Sequence, residues 1–199
     1  MPEPLTKFPT LTGAVFIDRD GTIIHEVDYL SNLAEIKLLP RAAEAIAKLN
    51  QLKIPVILVT NQSGVARGKF TEEFVKQSHI HLNQLLALDG ARIDDFFYCP
   101  HHPEAGLAPY KKICDCRKPR SGLLHQAANR HHLDLETSFV IGDKLIDVKL
   151  AQNVKAKGIL VETGYGRKEK EKIETLGITP DQICTDLADA VNWLLSQRG

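Results

Sequence analysis

Five short apolar runs, each nearly uninterrupted, constrain this chain more than anything else in its sequence. They are AVFID at 14–18, PVILVTN at 55–61, DDFFYCP at 94–100, SFVIGD at 138–143 and KGILVETG at 157–164. Runs of this length without polar alternation suit strands covered on both faces. Helical patterns lie between them. Pro40 opens PRAAEAIAKLNQL, Thr71 is placed to cap EEFVKQSHIHLNQLLAL with glutamates in its first turn, and SGLLHQAANRHH and LIDVKLAQNV follow. Strands alternating with helices predict an α/β fold of three layers, a mainly parallel sheet with helices on both sides, closed by the amphipathic LADAVNWLLSQ.

No repeat, low-complexity tract or linker divides the chain, so residues 14–199 are expected to form one domain. Residues 1–13 hold three prolines and no core segment, and predict a flexible N-terminus. Lysine plus arginine equals aspartate plus glutamate at 25 each, so no global field favours nucleic acid or an anionic membrane. Without any run of about 18 apolar residues, a cytoplasmic protein is expected. Nothing argues for a dimer, and a monomer is the expectation.

Residues 99–120, CPHHPEAGLAPYKKICDCRKPR, interrupt the rhythm. A segment this long, rich in proline and without periodicity, needs something to fasten it. Cys99 and His101 form one pair and Cys114 and Cys116 another, a spacing that suits a closed, structural zinc site with four ligands. His102 competes with His101 for the fourth position, and a cluster of free thiols in a reducing compartment is the plainer alternative.

In open parallel sheets, ligands bind beyond the carboxyl ends of the strands, and four run ends here carry polar chemistry: Asp18 and Asp20, Thr60 and Asn61, Cys99 to His102, and Asp143. Residues two apart point to the same side, so Asp18 and Asp20 reach into one crevice while Arg19 turns away. Crowded carboxylates need a cation, and hard oxygen ligands suit magnesium. A solvated turn, with Gly21 supplying a left-handed residue, is the alternative.

DRDGT, VTNQSG, CRKP and IGDKLID, in that order, resemble the four motifs of the haloacid dehalogenase (HAD) superfamily of phosphohydrolases. More narrowly, FIDRDGTI, TNQSGVARGKF, YCPHHP, CDCRKP and GDK resemble the heptose 1,7-bisphosphate phosphatases, with the histidinol-phosphate phosphatases as near relatives. The likeness runs from about residue 14 to 165. It implies a Rossmann-like HAD fold in which Asp18 is the nucleophile, forming an aspartyl-phosphate, and Asp20 the general acid and base. It also implies magnesium on Asp18, the Asp20 carbonyl and Asp143, with Thr60 and Lys118 stabilising the transferring phosphoryl group. Of the two histidines it selects His101 for zinc. Fastening the loop would then fix Lys118, which follows Cys116 closely. Asp147 either faces this site, orienting Lys118, or is an ordinary aspartate at a helix start.

The superfamily often inserts a cap domain, for which neither gap here has room. The resemblance therefore implies an open site whose selectivity comes from three loops, at 26–29, 63–69 and 101–117. Substrate contacts are expected from Asp18, Arg19, Asp20, Glu26, Val27, Asp28, Tyr29, Thr60, Asn61, Gln62, Ser63, Lys118 and Lys144. Arg67, Lys69 and Arg117 are candidates for a second phosphate, with solvated surface charge the alternative for Arg67 and Lys69. The expected partner is a small sugar bisphosphate losing its 7-phosphate in the synthesis of nucleotide-activated heptose. Histidinol phosphate is the alternative substrate, a nucleic-acid 3′-phosphatase is disfavoured by the charge balance, and a zinc-stapled binding module without catalysis would require a broken motif.

Overall fold

A strand buried on both faces gains nothing from polar alternation, and all five apolar runs lie in one sheet. The computed structural model describes residues 12–197. Its strands are β1 (Val15–Ile17), β2 (Val56–Asn61), β3 (Asp95–Cys99), β4 (Phe139–Gly142), β5 (Lys157–Val161) and β6 (Gln182–Cys184). They pair in the order β3-β2-β1-β4-β5-β6, and every pairing is parallel. The helices are α1 (Ala42–Gln51), α2 (Glu72–Ala87), α3 (Gly122–His131), α4 (Leu145–Gln152), α5 (Gly166–Lys170), α6 (Ile173–Leu176) and α7 (Leu187–Ser196). No described helix is long and apolar enough to cross a membrane.

The period of two sorts the strand side chains between two cores. Val15, Ile17, Val56, Leu58 and Ile141 pack with Ile46 and Leu49 of α1, Leu82 and Leu86 of α2, and Val191 and Leu194 of α7. Phe16, Ile57, Val59 and Val140 face the other way, onto Leu123, Leu124 and Ala127 of α3 and Leu150 of α4. The result is the three-layer architecture expected. Thr71 caps α2 as its position implied, its hydroxyl accepting from the Phe74 amide at 3.1 Å.

The sequence reading did not include β6, α5 or α6. β6 has three residues, two of them only half-buried, so no apolar run announces it. Residues 1–11, most of the expected flexible N-terminus, lie outside the described residues; Thr12 bridges to Leu133. Between β3 and α3 the described chain has no regular element, and no separate cap domain is inserted elsewhere among the described residues.

The strand order reverses at β1, with β2 on one side and β4 on the other. That reversal opens the crevice where open α/β sheets bind ligands. Behind it, His79 of α2 stacks on Phe96 with centroids 4.8 Å apart, and its buried Nε2 has no hydrogen-bond partner among the described residues. Burial, reinforced by the Arg19 charge, pushes its pKa down to about 3.

An unfolded histidine takes up its proton near pH 6.5. Between there and about 3 the unfolded state therefore binds more protons than the folded one, and stability falls as pH falls. His79→Leu is expected to flatten that dependence by about 1.4 kcal/mol per pH unit within this window. Urea unfolding of both proteins at several pH values checks it, and an unchanged slope would show that His79 is not the source.

Candidate active site

Parallel strands with matched register end at one level, so the residues after β1, β2 and β4 converge. Asp18 follows β1, Thr60 and Asn61 finish β2, and Asp143 follows β4. Lys118 arrives from the insertion and is 4% exposed. Its Nζ lies 2.8 Å from Asp18 Oδ1, 2.7 Å from Asp147 Oδ1 and 2.9 Å from the Val59 carbonyl. The two aspartate contacts are ion pairs, and the ammonium donates a hydrogen bond to the Val59 carbonyl. Burial opposes its charge, but the charges of Asp147 and Asp18 outweigh burial and raise its pKa. Asn61 fixes the lysine's backbone from both sides, donating to the Lys118 carbonyl at 3.1 Å and accepting from its amide at 3.0 Å.

Asp18, Asp143 and Asp147 bring their carboxylate oxygens within 4.8 Å of one another. Three buried carboxylates around one ammonium leave excess negative charge. Burial, with the Asp18 charge next, pushes the Asp143 pKa up to about 8, and burial raises Asp147 to about 6. Asp143 Oδ1 is buried without a hydrogen bond among the described residues, while Oδ2 accepts from the Tyr165 amide at 2.8 Å. Two glycines make room for this carboxylate. A Cβ on Gly21 or on Gly164, both at positive φ, would stand 2.2 Å from Asp143 Oδ2. Hard oxygens, uncompensated charge and an unsatisfied buried acceptor fit a divalent cation such as magnesium. Asp147, ambiguous in the sequence, faces the site and pairs with Lys118.

The carboxylate of Asp20 is not in that cluster. Arg19 donates to it from Nε at 3.1 Å and from Nη2 at 3.0 Å, and Gln62 donates at 2.9 Å. Arg19 thus does not simply turn away, as strand alternation suggested. Its long side chain folds back, buried to 3%, because a guanidinium inside the protein needs acceptors, here also Ser78 Oγ and Gln62 Oε1. Gln62 donates as well to Thr60 Oγ1 at 2.9 Å.

In the insertion, Cys99, His101, Cys114 and Cys116 gather their ligand atoms into a second cluster. Cys116 Sγ lies 3.2 Å from Cys99 Sγ, 3.3 Å from Cys114 Sγ and 3.2 Å from His101 Nδ1. Three thiols and one imidazole nitrogen closing on a common centre fit zinc with no position left for water. His102 is not part of this cluster; its ring meets Arg67 instead.

Comparison with known proteins decides the family. The profile of haloacid dehalogenase-like hydrolases matches residues 15–89, and a related HAD-hydrolase-like profile matches residues 115–190. A D-glycero-D-manno-heptose-1,7-bisphosphate 7-phosphatase of Thermosynechococcus vestitus is 41% identical over 185 residues, 91% of this chain and 94% of its own. The chain belongs to the heptose bisphosphate phosphatase family of HAD hydrolases. The Escherichia coli K12 member is 38% identical over 153 residues, 76% of this chain and 80% of its own. The crystal structure of D,D-heptose 1,7-bisphosphate phosphatase from B. bronchiseptica, complexed with magnesium and phosphate, superposes with a TM-score of 0.81 at 34% identity. That match covers 94% of this chain and 99% of the other.

In this heptose bisphosphate phosphatase relative, Glu26, Val27, Asp28, Tyr29, Ser63 and Lys144 line the crevice together with Asp18, Arg19, Asp20, Thr60, Asn61, Gln62 and Lys118. Lys144 reaches Glu26 at 3.3 Å and sits over the Tyr165 ring at 4.6 Å. Three expected contacts do not line it. Arg67 and Lys69 border a neighbouring groove that shares Tyr29 with the crevice, and Arg117 donates to the His101 carbonyl at 3.2 Å. The sequence reading missed the walls formed by Leu30, Phe70 and Ile146, while Gly64 lies in the expected 63–69 loop. Phe70 had a signal of sorts, since it closes TNQSGVARGKF, and a Cβ on Gly64 would lie 2.3 Å from its ring.

Cys114→Ser should drop bound zinc well below stoichiometric and cost several kcal/mol of stability, because a structural zinc site contributes folding free energy. Elemental analysis of the purified protein and denaturant unfolding read both effects. Full zinc retention in the variant would remove Cys114 from the ligand set.

Proposed function

We infer that this protein is a magnesium-dependent phosphatase that removes the 7-phosphate of D-glycero-D-manno-heptose 1,7-bisphosphate through an aspartyl-phosphate on Asp18. The carrying observation is the convergence of Asp18, Asp143, Asp147 and Lys118 in one buried cluster beside Asp20. The substrates named for the relatives support the reading, as do the magnesium and phosphate of the B. bronchiseptica complex. The synthesis of nucleotide-activated heptose is the proposed setting.

In the first step a free Asp18 oxygen attacks phosphorus, the new O–P bond forms in line, and the bond to the sugar oxygen breaks. Asp20 gives that oxygen its proton. In the second step Asp20 takes a proton from water as the water attacks the aspartyl-phosphate, which releases phosphate and returns Asp18 to its carboxylate. Arg19 and Gln62 aim Asp20 by holding its oxygens. Lys118, anchored by its hydrogen bond to the Val59 carbonyl and ion-paired with Asp18 and Asp147, holds the nucleophile in place electrostatically. Thr60 accepts from Gln62, so its own O–H points elsewhere and can meet a phosphoryl oxygen. Magnesium held by Asp18 and Asp143 would neutralise phosphate charge and align it with the nucleophile.

Histidinol phosphate is the alternative substrate. It would bring a cationic amine towards loops that carry Arg67, Lys69 and Arg117, a poorer electrostatic match than a second phosphate. Cysteines that gather as metal ligands rather than as disulfides support a cytoplasmic setting. A crevice completed by a single chain supports action as a monomer.

Phosphate release from heptose 1,7-bisphosphate and from histidinol phosphate, with magnesium, tests the reading. The bisphosphate should turn over faster, and Asp18→Asn should lower kcat by about four orders of magnitude or more. A preference for histidinol phosphate would move the substrate, and retained turnover in Asp18→Asn would remove the nucleophile.

A further inference from the structure

We propose that His102, together with Arg67, forms an oxyanion-binding pair for the phosphate that the enzyme leaves on its substrate. This rests on the bisphosphate reading above and adds a residue to it. His102 Nδ1 accepts two backbone N–H groups, from Glu104 at 3.1 Å and from Ala105 at 2.9 Å. A ring nitrogen that accepts carries no proton, so the imidazole is neutral with its hydrogen on Nε2. That Nε2 lies 3.1 Å from Arg67 Nη2. A guanidinium has no acceptor, so two donors face each other with no acceptor between them. The opposite tautomer only moves the conflict, since a proton on Nδ1 would meet two backbone donors instead of one side chain. An anionic oxygen received by both groups resolves the arrangement.

The backbones that carry both donors are held in place. His102 is tied at its amide to the Tyr110 carbonyl and at its carbonyl to the Lys112 amide, each at 3.1 Å. The Arg67 amide is bonded to the Ser63 carbonyl at 3.1 Å. The two loops also touch directly, since a Cβ on Gly106 would fall 1.8 Å from the Ala66 carbonyl. The groove bordered by Arg67 and Lys69 meets the catalytic crevice at Tyr29, and Lys69 sits 5.9 Å over that ring. In this proposal the second phosphate of a substrate bound at Asp18 sits at this junction. A phosphate monoester, with several oxygens, suits a guanidinium and an imidazole N–H side by side.

The test compares kcat/KM for heptose 1,7-bisphosphate and heptose 7-phosphate in wild type, His102→Ala, His102→Gln and Arg67→Met, with zinc content measured throughout. The pair predicts that the bisphosphate-to-monophosphate ratio falls about tenfold in His102→Ala, the size of one charge-assisted hydrogen bond. The loss should sit in KM. Arg67→Met should lower the ratio likewise without touching the zinc loop, and His102→Gln, which can still donate, should recover part of it. A wild type that prefers the bisphosphate while all three variants keep its ratio overturns the pair and leaves the substrate reading standing. A wild type indifferent to the second phosphate overturns both.

Discussion

Lys118 places one ammonium within hydrogen-bond reach of three oxygens from three parts of the chain: Asp18 after β1, Asp147 in α4 and the Val59 carbonyl within β2. Remove that charge and two buried carboxylates lose their counter-ion, which costs far more than an exposed pair contributes. The same ammonium contacts Asp18, the nucleophile of the proposed mechanism, so in that reading stability and catalysis rest on one group. Asn61 secures it through the backbone, which explains why a polar residue ends the otherwise apolar β2.

Lys118 also explains why the insertion must be ordered. Residues 100–121 contain no helix or strand, and an unfastened loop of that length would carry a large conformational entropy. The cysteine and histidine cluster closes it at one end. Glu72 fastens the middle, accepting from Tyr110 at 2.7 Å and from Tyr98 of β3 at 2.8 Å. Lys118 follows Cys116 by two residues, so the metal site and the catalytic ammonium share one short stretch of backbone. In the proposed mechanism, zinc held by Cys99, His101, Cys114 and Cys116 would thereby help to fix the position of Lys118.

Most of this was legible in the sequence for a physical reason. Parallel strands buried on both faces read as unbroken apolar runs, and strand ends in such sheets are where polar residues gather, so Asp18, Thr60 and Asp143 stood out. The short half-exposed β6 left no such trace, because an edge strand needs little apolar surface. Asp147 could not be placed, since a helix start attracts aspartate with or without a site. Arg19 was misjudged because alternation describes where Cβ points, while a long side chain can return to the other side. Arg67, Lys69 and Arg117 were recognisable as basic loop residues, but only tertiary packing shows that they stand outside the crevice.

The charge left over in the cluster explains how the site takes a phosphate at all. With all three ionised, Asp18, Asp143 and Asp147 would outnumber Lys118 by two charges, which is why burial and the Asp18 charge push the Asp143 pKa up; Lys144 stands 3.9 Å from Asp143 at the rim. A phosphate entering this space meets like charge, and two unit charges 4 Å apart repel by about 4 kcal/mol at an effective dielectric constant near 20. A divalent cation among the same oxygens reverses that balance. Cation and phosphate would therefore favour each other's binding, and the excess of carboxylates at Asp18, Asp143 and Asp147 is what would couple the two.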